Sequence, residues 1–324
     1  MSKTFIHFGL QKTGSTFLQK EVFPFLSGVL YVGRPYTQVN ESFNRLQYAD
    51  EALFEEEELA NEMAGISKAA GAQSILISDE LFAGFARYGF MNRGRIISRL
   101  SSICPEAEIL LFLRGQEAEI ASLHNQYIKT RMYDGPLDHN FLSVPGKGFS
   151  LEEWIQGHRG WRDRDRYINN HSYLSVEYFR YGPFLELLRK HFAQVHVFLY
   201  EDLCSSQLAV VEKLCRAMRV ESTELPLSDR KSRVNQGIPP EDLGKRILEN
   251  RIERLVPALS GRPARLLARA GRAFAGSDSD CGKEYVRECL ERAGIYEDNR
   301  RIEREWKLGM DRHPDSYFGS EAKQ

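Results

Sequence analysis

Short apolar runs alternate along the chain with longer stretches whose apolar residues recur at helical spacing. The runs are Thr4 to Phe8, Val29 to Val32, Ser74 to Ile77, Glu108 to Leu113 and Val195 to Tyr200. Most are apolar at consecutive positions, as in strands covered on both faces of a parallel sheet. Thr16 to Phe25, Glu51 to Ala70, Gln116 to Thr130 and Tyr181 to Phe192 read as helices. In Glu51 to Ala70 carboxylates gather on one face, with Leu53, Phe54, Leu59, Met63 and Ile66 on the other. Strands alternating with helices imply right-handed βαβ units. The expected fold is therefore α/β, a parallel sheet flanked by helices with helical insertions. In such sheets ligands bind at the carboxyl ends of the strands.

Two segments interrupt this rhythm. Residues 131–170 contain Gly135-Pro136, Pro145-Gly146 and Gly148, then Trp154 and Trp161. They read as a long loop followed by a helix, and a loop of that length usually has a function. It is the expected acceptor-side element. Residues 241–276 are helical and basic, with Arg246, Arg251, Arg254, Arg262, Arg265, Arg269 and Arg272. Two readings stay open for them: a solvated helical pair, or a surface for an anionic acceptor or a membrane headgroup. No internal repeat divides the chain, so one domain over 1–324 is expected.

Composition narrows the class. The 324 residues, 42% hydrophobic, suffice for a large core. A formal net charge of −1 argues against a broad nucleic-acid surface and leaves room for a local basic site. No apolar stretch approaches the roughly 20 residues of a membrane span, and no targeting pattern precedes the first strand. The five cysteines, Cys104, Cys204, Cys215, Cys281 and Cys289, form no Cys-x-x-Cys and no zinc spacing. Reduced thiols in a cytoplasmic enzyme are the expectation.

The strongest chemical signal is Gly9-Leu10-Gln11-Lys12-Thr13-Gly14-Ser15-Thr16, between the first strand and the first helix. Gly9 and Gly14 permit a tight path in which backbone N–H groups and the helix start face an anion. Ser15 and Thr16 add hydroxyls. The segment is P-loop-like without being the nucleoside-triphosphatase motif, which needs Lys directly after the second Gly and then Ser or Thr for magnesium. Here Ser15 takes the lysine's place, and the lysine is Lys12, inside the loop. A lysine there can face charge building on an oxygen that bridges phosphate and sulfate. With backbone dipoles it can replace a magnesium clamp.

The run His7 to Thr16 resembles the 5′-phosphosulfate loop of the sulfotransferases that use 3′-phosphoadenosine-5′-phosphosulfate (PAPS). The resemblance implies that Lys12, Thr13, Gly14, Ser15 and Thr16 hold the 5′-phosphosulfate, with Gln11 where many members have proline. It implies a 3′-phosphate grip by Arg114, at the end of Ile109 to Leu113, and Ser122, eight residues on. A forked guanidinium suits that role. It also suggests Lys231 and Arg233, in Arg230 to Gly237, as a late basic loop over the nucleotide, with a solvated turn as the other reading. The likeness extends through Tyr178 to Phe184 and Val197 to Leu203, and loosely to Tyr296 to Tyr317, including Asn299. It implies an α/β P-loop-like fold and transfer of a sulfuryl group to a hydroxyl or amine acceptor, a glycan or glycolipid being favoured. The product is adenosine 3′,5′-bisphosphate, and no metal is required. A P-loop kinase and a non-catalytic nucleotide or sulfated-glycan binding module are the rival classes.

The acceptor's proton needs a base within hydrogen-bond reach. Glu80, after the strand Ile75 to Ile77, is the candidate, and the resemblance places a base there in some members. Its other reading is a helix-start carboxylate. His124 is the rival base. His7 reads as a packed core histidine, and Asp79 as an N-cap.

Overall fold

The computed structural model of the chain describes residues 3–33, 45–84, 92–130, 137, 141–143, 174–221, 240–255 and 279–319. Most of 131–170 (with Trp154 and Trp161), Lys231, Arg233 and residues 256–276 lie outside the described residues.

The chain divides into two compact units. The first comprises Met1–Gly115, Tyr181–Val234 and Asn299–Tyr317. Its strands are β1 (Thr4–Phe8), β2 (Val29–Gly33), β3 (Ser74–Asp79) and β4 (Glu108–Leu113). After two short strands of the second unit, β5 (Leu142–Ser143) and β6 (Leu174–Ser175), comes β7 (Gln194–Leu199). The five long strands form one sheet in the order β2-β3-β1-β4-β7, every pair parallel. The expected α/β class and parallel sheet are therefore found. Each of the five predicted runs is a strand, shifted by at most two residues at an end.

The helices of this unit are α1 (Ser15–Phe17), α2 (Glu56–Ala70) and α3 (Arg93–Ile103); α4 (Gln116–Lys129) belongs to the second unit. Then follow α5 (Tyr181–His191), α6 (Tyr200–Ser205) and α7 (Gln207–Met218). Side chains alternate across the sheet. Phe5 on β1, Leu76 on β3, Leu110 and Phe112 on β4 and Phe198 on β7 form one buried cluster with Leu18, Val22 and Phe23 after α1 and Val211, Leu214 and Met218 of α7. Phe8 points the other way, edge-on to Phe184 of α5 and tilted against Phe82. Each fully buried Phe or Leu of such a core contributes about 1.5–3 kcal/mol.

Two expected helices come out differently. The stretch read as a helix over Thr16 to Phe25 is α1, one π-helical stretch (Leu18–Val22) and a 3₁₀ turn (Phe23–Phe25). Pro24 denies the helix a backbone donor. Glu51 to Ala70 splits into a 3₁₀ turn (Glu51–Leu53) and α2. On α2, Leu59 and Met63 are buried and Ile66 partly so, while Leu53 in the turn is exposed. Asp50 caps the turn by accepting the Ala52 N–H at 2.9 Å.

Glu108 opens β4 at the amino edge of the sheet, almost wholly buried. Its carboxylate pairs with Lys3, with Arg219 at 2.9 Å and with His196 at 2.8 Å. Burial pushes its carboxyl up, and these donors outweigh that, holding it at about 2.

The second unit holds Gln116–Arg180, Asn235–Asp298 and Phe318–Gln324. It contains α4, the β5-β6 pair, α8 (Pro240–Leu255), α9 (Ser279–Arg292) and the start of α10 (Ile295–Trp306). The Nδ2 of Asn250 on α8 donates to the carbonyl of Ile128 on α4 at 2.8 Å. Glu117 of α4 accepts from Arg287 of α9 at 2.9 Å and from the Tyr296 hydroxyl at 2.7 Å. The first unit closes with α11 (Pro314–Tyr317), whose Tyr317 is fully buried. Among the described residues no helix is long and apolar enough to cross a membrane.

Candidate anion-binding and active site

Strand order locates the site before any side chain is considered. From β1 the chain proceeds to β2 and returns through β3, all on one side of β1. The next strand, β4, lies on the other side, and β7 continues outward from it. The connections after β1 and after β4 therefore leave in opposite directions. Such a topological switch point opens a crevice at the carboxyl ends of the two strands. Gly9 to Thr16 follows β1 and Arg114 follows β4, so the two groups read as anion grips flank that crevice.

The loop is built from within. Thr13 is fully buried, and its hydroxyl donates to the Leu10 carbonyl at 2.7 Å, with the Ser15 hydroxyl reaching the same oxygen at 3.4 Å. The Thr13 hydroxyl thus shapes the loop. Lys12 is left-handed, with φ 68°, and Gly14 has φ 90°. Glycine takes that conformation without penalty, whereas a left-handed residue with a side chain costs about 1–2 kcal/mol. Gly14 then starts α1, its carbonyl accepting the Phe17 N–H at 2.9 Å and the Leu18 N–H at 3.1 Å. A Cβ on Gly9 would lie 2.8 Å from Ser15 Oγ and 3.0 Å from Glu80 Cα. Only glycine lets the loop close that tightly. Gln11 is half-buried, and its Oε1 has no hydrogen-bond partner among the described residues.

Glu80 stands against this loop. The register pairs Phe8 of β1 with Asp79 of β3, so the residues that follow, Gly9 and Glu80, come out side by side. The Thr16 hydroxyl donates to Glu80 Oε1 at 3.5 Å, a long contact. The cap of the 3₁₀ turn Glu80–Ala83 is Asp79, which accepts the Leu81 N–H at 2.8 Å. Asp79 is thus the N-cap, as its sequence suggested, and Glu80 is a first-turn carboxylate of the same 3₁₀ turn.

Beneath the loop lies a buried polar group. His7 Nδ1 is 2.8 Å from Ser78 Oγ, which also accepts Gln19 Nε2 at 3.0 Å. Phe23 and Phe112 enclose the ring edge-on. Burial lowers the His7 pKa to about 3, so it is a neutral core histidine, as its place in β1 suggested. Gln19 lies in the π-helical stretch on the same buried face as Leu18 and Val22, and sequence reading gave it no role.

Arg114 leaves β4 beside Tyr200, because the register pairs Leu113 with Leu199. Its guanidinium lies over the Tyr200 ring, 4.5 Å from the centroid, and its Nη1 donates to the Lys12 carbonyl at 2.8 Å. Its Nε is buried with no hydrogen-bond partner among the described residues. The base of the side chain is fixed: the Tyr181 hydroxyl receives the Arg114 N–H at 3.3 Å and donates to the Arg114 carbonyl. Next to it, the Gly115 N–H donates to Glu201 at 3.0 Å, and Glu201 accepts the Tyr317 hydroxyl at 2.5 Å. Tyr181, Tyr200 and Glu201 lie within segments whose sequence resembled the sulfotransferases without any role attaching to them.

Two further expected residues lie on α4. Ser122 is half-buried there, in the second unit. His124, the rival base, is buried on α4 edge-on to Phe141, 4.9 Å between ring centres, in the manner of a core histidine. The first unit alone thus brings together a glycine-shaped loop bearing a lysine, a carboxylate against it and a pinned arginine. That arrangement suits an anionic ligand with two separated charged groups, beside a carboxylate.

No family model matches the chain, and no curated protein matches it. Among solved structures it is similar to a sulfotransferase from Alicyclobacillus acidocaldarius, at 14% identity over 82% of this chain and 99% of that one, TM-score 0.43. It is also similar to the sulfotransferase domain of the Synechococcus PCC 7002 olefin synthase, at 15% identity over 83% and 94%, TM-score 0.39. A third is the sulfotransferase domain from the curacin biosynthetic pathway, at 12% identity over 82% of each chain, TM-score 0.36. These likenesses are low in identity and in score, and none of them fixes an activity for this chain.

Proposed function

We propose that the chain is a sulfotransferase that moves a sulfuryl group from PAPS to an acceptor hydroxyl or amine, a glycan or glycolipid being the favoured class. The observation that carries this reading is the position of Glu80 against the lysine-bearing loop, with Arg114 across the switch point. The residues fit a nucleotide of this kind: a cradle that a Cβ on Gly9 would fill, and a buried guanidinium edge at Arg114. Lys12, Gly14, Ser15, Thr16 and the Thr13 backbone would hold the 5′-phosphosulfate, and Arg114 the 3′-phosphate. Ser122, Lys231 and Arg233 remain part of the proposed nucleotide set on sequence alone.

The chemistry assigned to the chain is brief. Glu80 takes the proton from the acceptor as its oxygen or nitrogen bonds to sulfur and the bridging S–O bond breaks. Lys12 offsets the charge that the departing oxygen of adenosine 3′,5′-bisphosphate acquires, without a metal ion. Holding donor and acceptor in line supplies much of the rest.

Titration calorimetry tests the donor. The chain should bind adenosine 3′,5′-bisphosphate at least about tenfold more tightly than 5′-AMP, the lower end of what a hydrogen bond to a charged group is worth. Equal affinities would remove PAPS as the donor. Magnesium-dependent transfer from ATP, with no turnover of PAPS, would give the site to a kinase. Tight bisphosphate binding with no transfer to any glycan, phenol or amine acceptor would leave a binding module.

A further inference from the structure

We infer that Arg114 is a positioning residue for Lys12, so that the two anion grips of the site are mechanically one. This rests on the nucleotide reading of the site and goes beyond it, because a residue that only grips a 3′-phosphate has no bearing on the 5′ loop. The contacts run the other way. Lys12 is held in a left-handed conformation disfavoured for a residue with a side chain. Such strain persists where surrounding structure over-determines it. Arg114 Nη1, a charged donor 2.8 Å from the Lys12 carbonyl, is a group that holds it. Charged donors make the stronger hydrogen bonds.

Arg114 can act as a strut because it does not itself swing. Tyr181 holds its backbone N–H and carbonyl, and Glu201 holds the next N–H. Tyr200 supports the guanidinium face. The same ring would lie 3.4 Å from a Cβ on Gly14, so it touches the far end of the loop as well. Arg114, Tyr200 and the stretch from Lys12 to Gly14 thus form one contact group. Removing the guanidinium takes this donor from the Lys12 carbonyl and lets the peptide relax out of the shape in which the loop faces an anion.

The test uses a ligand that Arg114 cannot grip directly. Adenosine 5′-phosphosulfate carries the 5′ group and no 3′-phosphate. Calorimetry on the full chain should show Arg114→Ala weakening this ligand about tenfold or more, a hydrogen bond from a charged donor having been lost. A double-mutant cycle isolates the strut. Glycine accepts the left-handed conformation unaided, so in a Lys12→Gly background Arg114→Ala should change the affinity for adenosine 5′-phosphosulfate less than twofold. Thermal melting checks that the variants fold. If Arg114→Ala does not fold, Tyr200→Leu is the second variant. It removes the supporting ring while leaving Arg114 in place, and should weaken adenosine 5′-phosphosulfate about two- to fivefold, the worth of an exposed cation–π contact. Unchanged affinity in the folded Arg114→Ala protein, or equal losses in both backgrounds of the cycle, would overturn the inference. That failure differs from failure of the functional reading, in which the parent protein itself would not prefer bisphosphate to 5′-AMP.

Discussion

Glu80 and Lys12 act, on the proposed chemistry, at different moments, and substitutions separate them. Glu80→Gln keeps the side-chain shape and removes the base. It should leave bisphosphate affinity within about twofold while kcat falls 10²–10⁴-fold, the usual contribution of a general base. Steady-state kinetics with a working acceptor, paired with calorimetry, decides it. Near-normal turnover would move the base elsewhere. Glu80 was legible because it sits just past a strand end, where a polar residue after an apolar run is conspicuous, and Lys12 because Gly9 and Gly14 frame its loop. Arg114 was legible for the same reason as Glu80. The residues that hold it were not: Tyr181 lies 67 positions away and Tyr317 is 116 from Glu201, and no local pattern encodes such pairings. Gln19 was hidden for another cause: it shares the buried helical face with Ser15, Leu18 and Val22, and nothing local reveals its partner Ser78, 59 positions away.

At the scale of elements, the ion cluster at the start of β4 ties three pieces of chain to one strand: Lys3 before β1, His196 in β7 and Arg219 after α7. The Glu108 carboxyl titrates near 2 in the folded protein, against an ordinary value of 4.5. A carboxyl lowered on folding contributes stability that is fully present above about pH 4.5 and is lost as pH falls towards 2. Lys3 and Arg219 are about half exposed, and solvent screening reduces the gain to roughly 2 kcal/mol at neutral pH. Urea denaturation of Glu108→Gln should show that loss at pH 7 and only about a quarter of it at pH 2.5. A deficit independent of pH would mean that packing at this position matters and the charge does not. The five strands were readable because consecutive apolar residues signal burial on both faces. Helices α3, α7, α9 and α10 were not assigned. Their apolar positions are interleaved with charge, as in Arg93-Gly94-Arg95 of α3 and Arg300-Arg301-Ile302-Glu303-Arg304 of α10, and tertiary packing, not local composition, selects their buried faces.

For the molecule as a whole, the first unit is assembled from three separated stretches of chain, and the last returns to brace the site. Tyr317 is a buried link in that stretch, donating to Glu201. Tyr317→Phe keeps the ring and removes the bond to a carboxylate, which should lower unfolding stability by about 1.5–3 kcal/mol. Equilibrium denaturation reads this directly, and an unchanged midpoint with an unchanged slope would show that the segment does not brace the unit. Chain order has a further consequence, for synthesis. β1 leaves the ribosome first yet occupies the middle of the sheet, and its neighbours β3 and β4 follow only at residues 74–79 and 108–113. At usual elongation rates it waits on the order of ten seconds with both hydrogen-bonding edges open and its phenylalanines uncovered. For that interval the nascent chain presents the kind of surface that holding chaperones bind and that other nascent chains can pair with.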